Sequence, residues 1–458
     1  MTTLPTSRRT WLSLGAGLLV LIGSVLMWTA DVLSSGTPSG SLDQITRFLL
    51  VLAVILMVCH LLGELMRRLG QPPVLGEMLG GVLLGPSALG LVWPAAMRWL
   101  AAPAVLDTMD KVGQLGLVVF MFLLGCELRT DRIERPRLVA ATVLGGMGLP
   151  FVVGVGLACG LGSLLAPHGT APTSYALFLG LALSVTALPV LARVLVDLRI
   201  DQTRVGALSM SSAAVGDGVA WLVLTFILTG TGQGGSTSMA ETAYLAMALM
   251  AVTVLCVRPA LAVLVRRMRS EQLLTVVLLA GAIAFSGMTQ AINLHPVIGA
   301  FLFGVVVPRD SEKVQRIGHQ LRGFTLIVLL PVFFAGVGLG TSIGLIGGSP
   351  LNWLVFAVVL AAAVLTKFLG AGGAARLAGL PRKQSVRLAT LMNCRGVTEL
   401  VIATIGFKAG LINQLCFTVL VLIAVVTTAA TGPLMRRLIR NDPAVDGPAP
   451  EPVRPVAT

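Results

Sequence analysis

The sequence is short of charge. Only 12% of its 458 residues are Asp, Glu, Lys or Arg, where a soluble chain of this length carries about a quarter. With 55% hydrophobic residues and a mean hydropathy of +0.91, that shortage excludes an ordinary water-soluble domain. Lipid must be the solvent for most of the surface. Acidic residues are scarcest, 20 against 33 basic ones, for a net charge of +13. The basic residues fall in short clusters between apolar runs. That is the pattern of loop charges that orient a membrane protein, and it excludes a nucleic-acid partner. Cysteines are few as well. Cys59, Cys126, Cys159, Cys256, Cys394 and Cys416 lie in or at the ends of apolar segments and form no CxxC pair. They read as small apolar fillers, which leaves neither a disulfide framework nor a cysteine metal site.

What the chain does have is long apolar runs. A spanning helix needs about 20 such residues, and fourteen candidate spans follow. The first is 11–30. The others are 45–66, 73–91, 108–128, 137–163, 173–196, 203–230, 239–257, 273–290, 293–308, 323–343, 351–375, 388–407 and 413–435. The loops test this count. With the N-terminus and its Arg8 and Arg9 in the cytoplasm, every second loop should be basic. Of the 33 lysines and arginines, 27 then face inward; the exceptions are Arg47, Arg98, Lys111 and Lys408 outside, and Lys367 and Arg395 at membrane depth. A wrong count would scramble this alternation. Both termini are therefore expected in the cytoplasm, with the chain in the cytoplasmic membrane.

Segment 11–30 fits either a retained helix or a signal peptide, and the absence of a clear A-x-A site favours the helix. Residues 1–44 are read as this extra helix and an outer loop. Residues 441–458 are rich in Pro and Ala and read as a disordered cytoplasmic tail with no nucleotide-sensing domain. The remaining thirteen spans divide as six, one and six: a first repeat at 45–238, a linker helix at 239–270 and a second repeat at 271–440. An odd linker inverts the second repeat, a common plan of secondary transporters. The expected fold is an all-α polytopic membrane protein of 13–14 helices built from two inverted six-helix repeats.

The fifth span of each repeat carries signs of a break. Ser184-Val185-Thr186-Ala187-Leu188-Pro189 puts two hydroxyls and a proline mid-membrane, and Asn393-Cys394-Arg395-Gly396-Val397-Thr398-Glu399 puts charge, amide and glycine at the matching place. Proline frees a carbonyl. Carbonyls and hydroxyls that line a cavity can coordinate a cation, which makes Ser184 and Thr186 candidate ligands.

Asp217 is the one aspartate at membrane depth. A carboxylate there is costly and must face protein or water. It can hold a proton or a small cation such as Na⁺ or K⁺, and one group that holds either but not both is the minimal exchanger. The alternative is a carboxylate paired permanently with a basic residue for stability. Lys367 is the candidate partner, stabilising the empty site and giving way to a cation; the competing reading is snorkelling to the interface. Arg395 and Glu399, spaced i, i+4, can pair on one helix face and read mainly as neutralising the broken helix ends. Glu77 lines a cytoplasmic funnel or sits near the interface. His60, His295, Glu64 and Glu127 lie near span ends and read as interfacial. The glycines of 80–85 read as helix-packing positions.

The strings QPPVLGEMLGGVLLGPSALG (71–90), SVTALPVLARVLVDL (184–198), SSAAVGDGVAW (211–221), HPVIGAFLFGVVVP (295–308), LLPVFFAGVGL (329–339) and MNCRGVTELVIATIG (392–406) occur in this order and spacing. Together they resemble the cation:proton antiporter-2 family, the plant-type cation/proton exchangers more than the Kef-type potassium efflux systems. The resemblance implies a homodimer of protomers, each with a dimerisation domain and a core domain. It also implies crossed broken helices and elevator-type alternating access, with no cofactor beyond the transported Na⁺ or K⁺ and H⁺. Asp217 matches the family's ion-binding aspartate, Lys367 its core lysine, and Thr186 and 393–399 its helix breaks. Many relatives carry Asn-Asp or Asp-Asp where this chain has Gly216-Asp217, which leans toward electroneutral one-for-one exchange.

Other functions compete with this reading. An intramembrane aspartyl protease needs a second buried aspartate, and none is present. A non-transporting sensor or accessory protein on the same fold, and a transporter of a small organic substrate, stay open. The retained Asp217 and Lys367 weigh against the first, and the dominance of Asp217 over larger polar pockets against the second.

Overall fold

The computed structural model describes residues 44–127, 136–230 and 239–440, apart from 168, 202, 293, 309–310 and 348. The candidate helix 11–30 and the tail 441–458 lie outside the described residues. Every element named here is a helix. They are α1 (Gln44–Arg68), α2 (Pro73–Leu84), α3 (Pro103–Glu127), α4 (Pro136–Leu165), α5 (Pro172–Ser184), α6 (Leu188–Asp197), α7 (Arg204–Gly230), α8 (Tyr244–Arg267), α9 (Glu271–Ala291), α10 (Pro296–Val306), α11 (Glu312–Leu339), α12 (Pro350–Leu377), α13 (Arg382–Met392), α14 (Val397–Lys408) and α15 (Gln414–Arg440).

Proline explains many of the starts. It stands in the first turn of α2, α5, α6, α10 and α12. There its missing N–H is not needed and its fixed φ already suits the helix. Ser270 caps α9 by accepting a hydrogen bond from the Leu273 amide at 3.3 Å.

Each of the thirteen expected spans from 45 onward has a counterpart, but they do not all span as one rod. Among the described residues, ten helical segments are long and apolar enough to cross a membrane. The other three are the two broken ones and the short α10. Windows 173–196 and 388–407 each resolve into two half-helices, α5/α6 and α13/α14. Two boundaries move for a simple reason. Helix α11 begins at Glu312, eleven residues before the apolar window, because its first turns are amphipathic and carry Lys313, Arg316 and Arg322. Helix α8 likewise runs on to Arg267.

The helices pack as two bundles. Helices α1, α2, α3, α9, α10 and α11 pack on one another, and α4, α5, α6, α7, α12, α13, α14 and α15 form the second group. The bundles meet where α2 lies against α15, and α8 packs against both α10 of the first and α7 of the second. Polar side chains also tie them: Lys408 of α14 pairs with Asp110 of α3, Gln414 of α15 donates to Gly340 O, and Arg436 of α15 donates to Gly70 O between α1 and α2. In the first bundle Gly81 lies against Ala335 of α11, as the glycine-rich run 80–85 implied. In the second, Gly145 of α4 and Gly370 of α12 meet backbone to backbone: a Cβ built on Gly370 would stand 2.1 Å from Gly145 O. That contact fixes the turn just after Lys367. A π-helical turn, Phe368–Gly372, follows the lysine directly, and such turns are frequent at functional sites.

Candidate ion site where two broken helices meet

The two breaks touch. The Ala187 amide donates to Cys394 O at 3.1 Å, and the Thr186 hydroxyl donates to Met392 O at 2.8 Å. Between α5 and α6, residues 185–187 leave the helix with extended backbone at Val185 and Ala187. Between α13 and α14, Gly396 has φ 154° and ψ −125°. Only glycine adopts that conformation without strain. A Cβ there would also stand 2.5 Å from Val190 Cγ2.

Four ionisable side chains gather around this crossing, all 0–1% exposed: Asp217, Lys367, Arg395 and Glu399. Their arrangement follows from the helix ends. The last carbonyls of a helix carry partial negative charge and the first amides partial positive charge. The C-terminal end of α5 is met by cations. Arg395 donates to Ala182 O at 3.0 Å and Leu183 O at 2.6 Å, and Lys367 donates to Ser184 O at 2.5 Å. Arg395 is in turn paired with Glu399 at 2.7 Å, in the first turn of α14. The expected i, i+4 pairing is present.

Asp217 lies on α7. Its Oδ2 accepts from the Thr398 hydroxyl at 3.2 Å, and the backbone of Leu188 at the start of α6 also faces the carboxylate. Its Oδ1 is buried with no partner among the described residues. Beside it, Gly216 contributes no side chain; a Cβ there would meet only Met147 Sδ, at 3.4 Å.

The sequence-derived partnership of Asp217 with Lys367 needs correction in this conformation. No ion pair joins them among the described residues. The ammonium is instead taken by Ser184 O and by Thr186 Oγ1 at 2.7 Å, while Lys367 acts on Asp217 by charge at longer range. The physical reason is the α5 terminus, which offers a carbonyl and a hydroxyl close to the lysine. Snorkelling is excluded, because the Lys367 side chain is wholly buried. Ser184 contributes its carbonyl, since its own hydroxyl donates back to Leu181 O at 2.8 Å. Glu77 on α2 is half-buried and feels the charge of Arg193 on α6, across the two bundles. Glu64 and Glu127 pair with Arg67 and Arg322 near helix ends, and His295 Nδ1 accepts from the Val297 amide at the start of α10.

Sequence reasoning did not single out Thr398 or Thr428. The Thr428 hydroxyl on α15 accepts from the Arg395 amide at 3.2 Å and donates to Arg395 O at 2.5 Å, so it serves the second break. No sequence signal marks it. Among the described residues, no group of three or more His, Cys, Asp or Glu is placed to hold a metal ion.

Residues 52–440 match the family described as sodium/hydrogen exchanger, transmembrane. The chain is 34% identical over 404 residues to the Na⁺/H⁺ antiporter NhaS4 of Synechocystis, covering 85% of this chain and 97% of that protein. It is 32% identical to cation/H⁺ antiporter 17 of Arabidopsis thaliana over 84% of this chain, but spans only 48% of that longer relative. The Na⁺/H⁺-K⁺ antiporter GerN of Bacillus cereus is 28% identical and matched over 96% of its length. Among solved structures, the sodium proton antiporter MjNhaP1 of Methanocaldococcus jannaschii superposes with a TM-score of 0.67 at 13% identity, covering 87% of this chain and 98% of that one. The fold is thus that of a sodium/proton antiporter, and the chain belongs to the sodium/hydrogen exchanger family.

Proposed function

We propose that this protein exchanges a monovalent cation, Na⁺ or K⁺, for protons across the cytoplasmic membrane, with Asp217 as the group that carries either ion. One observation carries the reading: a fully buried carboxylate stands at the meeting of two broken helices with one oxygen unpartnered among the described residues. Ser184 O and Thr186 Oγ1, the other candidate ligands, are held by the Lys367 ammonium. A cation that takes them must displace the lysine. Arg395 and Glu399 stay paired and keep the broken ends neutral.

The charge balance favours electroneutral exchange. With Asp217 and Glu399 ionised and Lys367 and Arg395 protonated, the buried cluster sums to zero. A bound proton or a bound Na⁺ adds the same single charge, so the two loaded forms cross with equal charge. Gly216 supplies no second carboxylate to alter this sum.

The two bundles support an elevator-type movement. The group with α5, α6, α13 and α14 acts as the core domain and moves against the other group, which serves as dimerisation domain in a homodimer. On this reading the repeats divide at 45–238 and 271–440 about the linker 239–270, the basic helix ends face the cytoplasm, and Glu77 with Arg193 lines the inner funnel. The test is dissipation of a pH gradient in proteoliposomes by Na⁺, K⁺ and Li⁺. Wild type should collapse the gradient, without a current that follows membrane potential, and Asp217→Asn should not. A mutant that exchanges as well as wild type would remove Asp217 from the mechanism.

A further inference from the structure

Threonine hydroxyls inside this protein have a habit. In the described helices, Thr142, Thr325, Thr390 and Thr427 each donate to the backbone carbonyl four residues earlier. That is the usual way a helix satisfies a buried hydroxyl. Three buried threonines at the crossing do otherwise: Thr186 bonds Met392 O, Thr428 bonds Arg395 O, and Thr398 bonds the Asp217 carboxylate.

Thr398 departs for a structural reason. It is the second residue of α14, just past Gly396, and the carbonyl four residues back belongs to Cys394, which lies outside the helix. That carbonyl already accepts from the Ala187 amide of the other break. The hydroxyl is therefore released from its own helix and turned toward α7. Its side chain is 0% exposed.

A hydroxyl has one hydrogen and two lone pairs. The hydrogen of Thr398 goes to Asp217 Oδ2, so the lone pairs of Oγ1 remain. Beside them, Asp217 Oδ1 is buried without a partner among the described residues. Two oxygen acceptors on one bonded pair thus stand unfilled in the interior, where an unfilled polar atom is expensive. A bare alkali cation is the partner that suits both: it accepts oxygen lone pairs and leaves the Thr398–Asp217 hydrogen bond in place. A proton satisfies the carboxylate alone and has no use for the hydroxyl oxygen.

From this geometry we infer that Thr398 is a direct oxygen ligand of the transported cation and a determinant of cation affinity, distinct from its serving as a filler in α14. The inference rests on the reading of Asp217 as the exchange site. It assigns Thr398 to the cation-loaded form only, so its loss should show in the cation KM and much less in the maximal rate.

The experiment measures Na⁺- and K⁺-driven exchange in proteoliposomes for wild type, Thr398→Val, Thr398→Cys, Thr398→Ser and Asp217→Asn. Valine keeps the shape and removes the oxygen. Cysteine replaces it by sulfur, a poor ligand for a hard cation. The expected result is a KM for the transported cation raised about tenfold or more in the Val and Cys variants, a maximal rate within a few-fold of wild type, and rescue by Ser. Should the Val variant not assemble, the Cys variant decides. Wild-type KM values in the Cys variant, or Ser failing to rescue, would overturn the assignment. Asp217→Asn separates the two claims. If it is silent while Thr398→Cys is normal, only the threonine assignment falls. If Asp217→Asn exchanges normally, the site itself is wrong.

Discussion

In the first break, between α5 and α6, the freed carbonyls of Ala182, Leu183 and Ser184 meet full positive charges, from Arg395 and Lys367. In the second, between α13 and α14, those of Met392 and Cys394 meet a neutral hydroxyl and an amide, from Thr186 and Ala187, while Thr428 closes on the Arg395 peptide. Both breaks expose the same backbone chemistry, and one is neutralised by ions and the other by dipoles. On the proposed reading the difference follows function. A cation must be able to replace whatever holds its ligands, and an ammonium is the natural stand-in for a metal cation on a carbonyl and a hydroxyl. A dipolar contact cannot be exchanged for a cation in that way, so on the proposed reading the second break's Met392 and Cys394 carbonyls stay with Thr186 and Ala187.

This comparison can be broken by mutation. The largest expected effect is from Arg395→Ala, which uncaps two carbonyls and leaves the Glu399 carboxylate buried alone. Removing one member of a buried pair costs about 3–5 kcal/mol, read as a sharp fall in thermal unfolding temperature in detergent. Gly396→Ala comes next, at about 1–3 kcal/mol for the backbone conformation alone, with the Val190 contact added; the same unfolding measurement checks it. Lys367→Met removes the donor to Ser184 O and to Thr186 Oγ1, whose own bond to Met392 O remains, and should lower stability by about 1–3 kcal/mol. Exchange activity should fall with it, since the empty site loses its stand-in cation. Thr428→Val breaks two neutral hydrogen bonds to the Arg395 peptide and leaves every charge paired, so it should have the smallest effect, about 1–2 kcal/mol, with exchange retained. If Thr428→Val destabilised the protein as much as Arg395→Ala, the division into an ionic and a dipolar break would fail.

Much of this was legible in the sequence, and the limits are physical. The spans, the alternation of basic loops and both break positions are local signals: apolar runs, arginine clusters, and proline or glycine with polar neighbours. The pairing of Arg395 with Glu399 is local too, because i, i+4 spacing alone brings them together. The choice of partner for Lys367 is not local. Charge alone points to Asp217, but the α5 terminus lies 181–183 residues away in sequence and competes with a carbonyl and a hydroxyl at hydrogen-bond distance. Thr398 was hidden for the opposite reason. A helical threonine normally bonds its own backbone, and only the crossing of the breaks, which takes the Cys394 carbonyl away, turns it toward Asp217. The extended starts of α11 and the end of α8 were missed because hydropathy does not register amphipathic turns that continue a span.

The central claim is that one carboxylate holds a proton or a cation and never both. The direct measurement is proton release from purified protein in weakly buffered detergent solution when Na⁺ or K⁺ is added. The expected result is release of about one proton per chain as the cation saturates, and none from Asp217→Asn. Cation binding without proton release in the wild type, or equal release from Asp217→Asn, would contradict it.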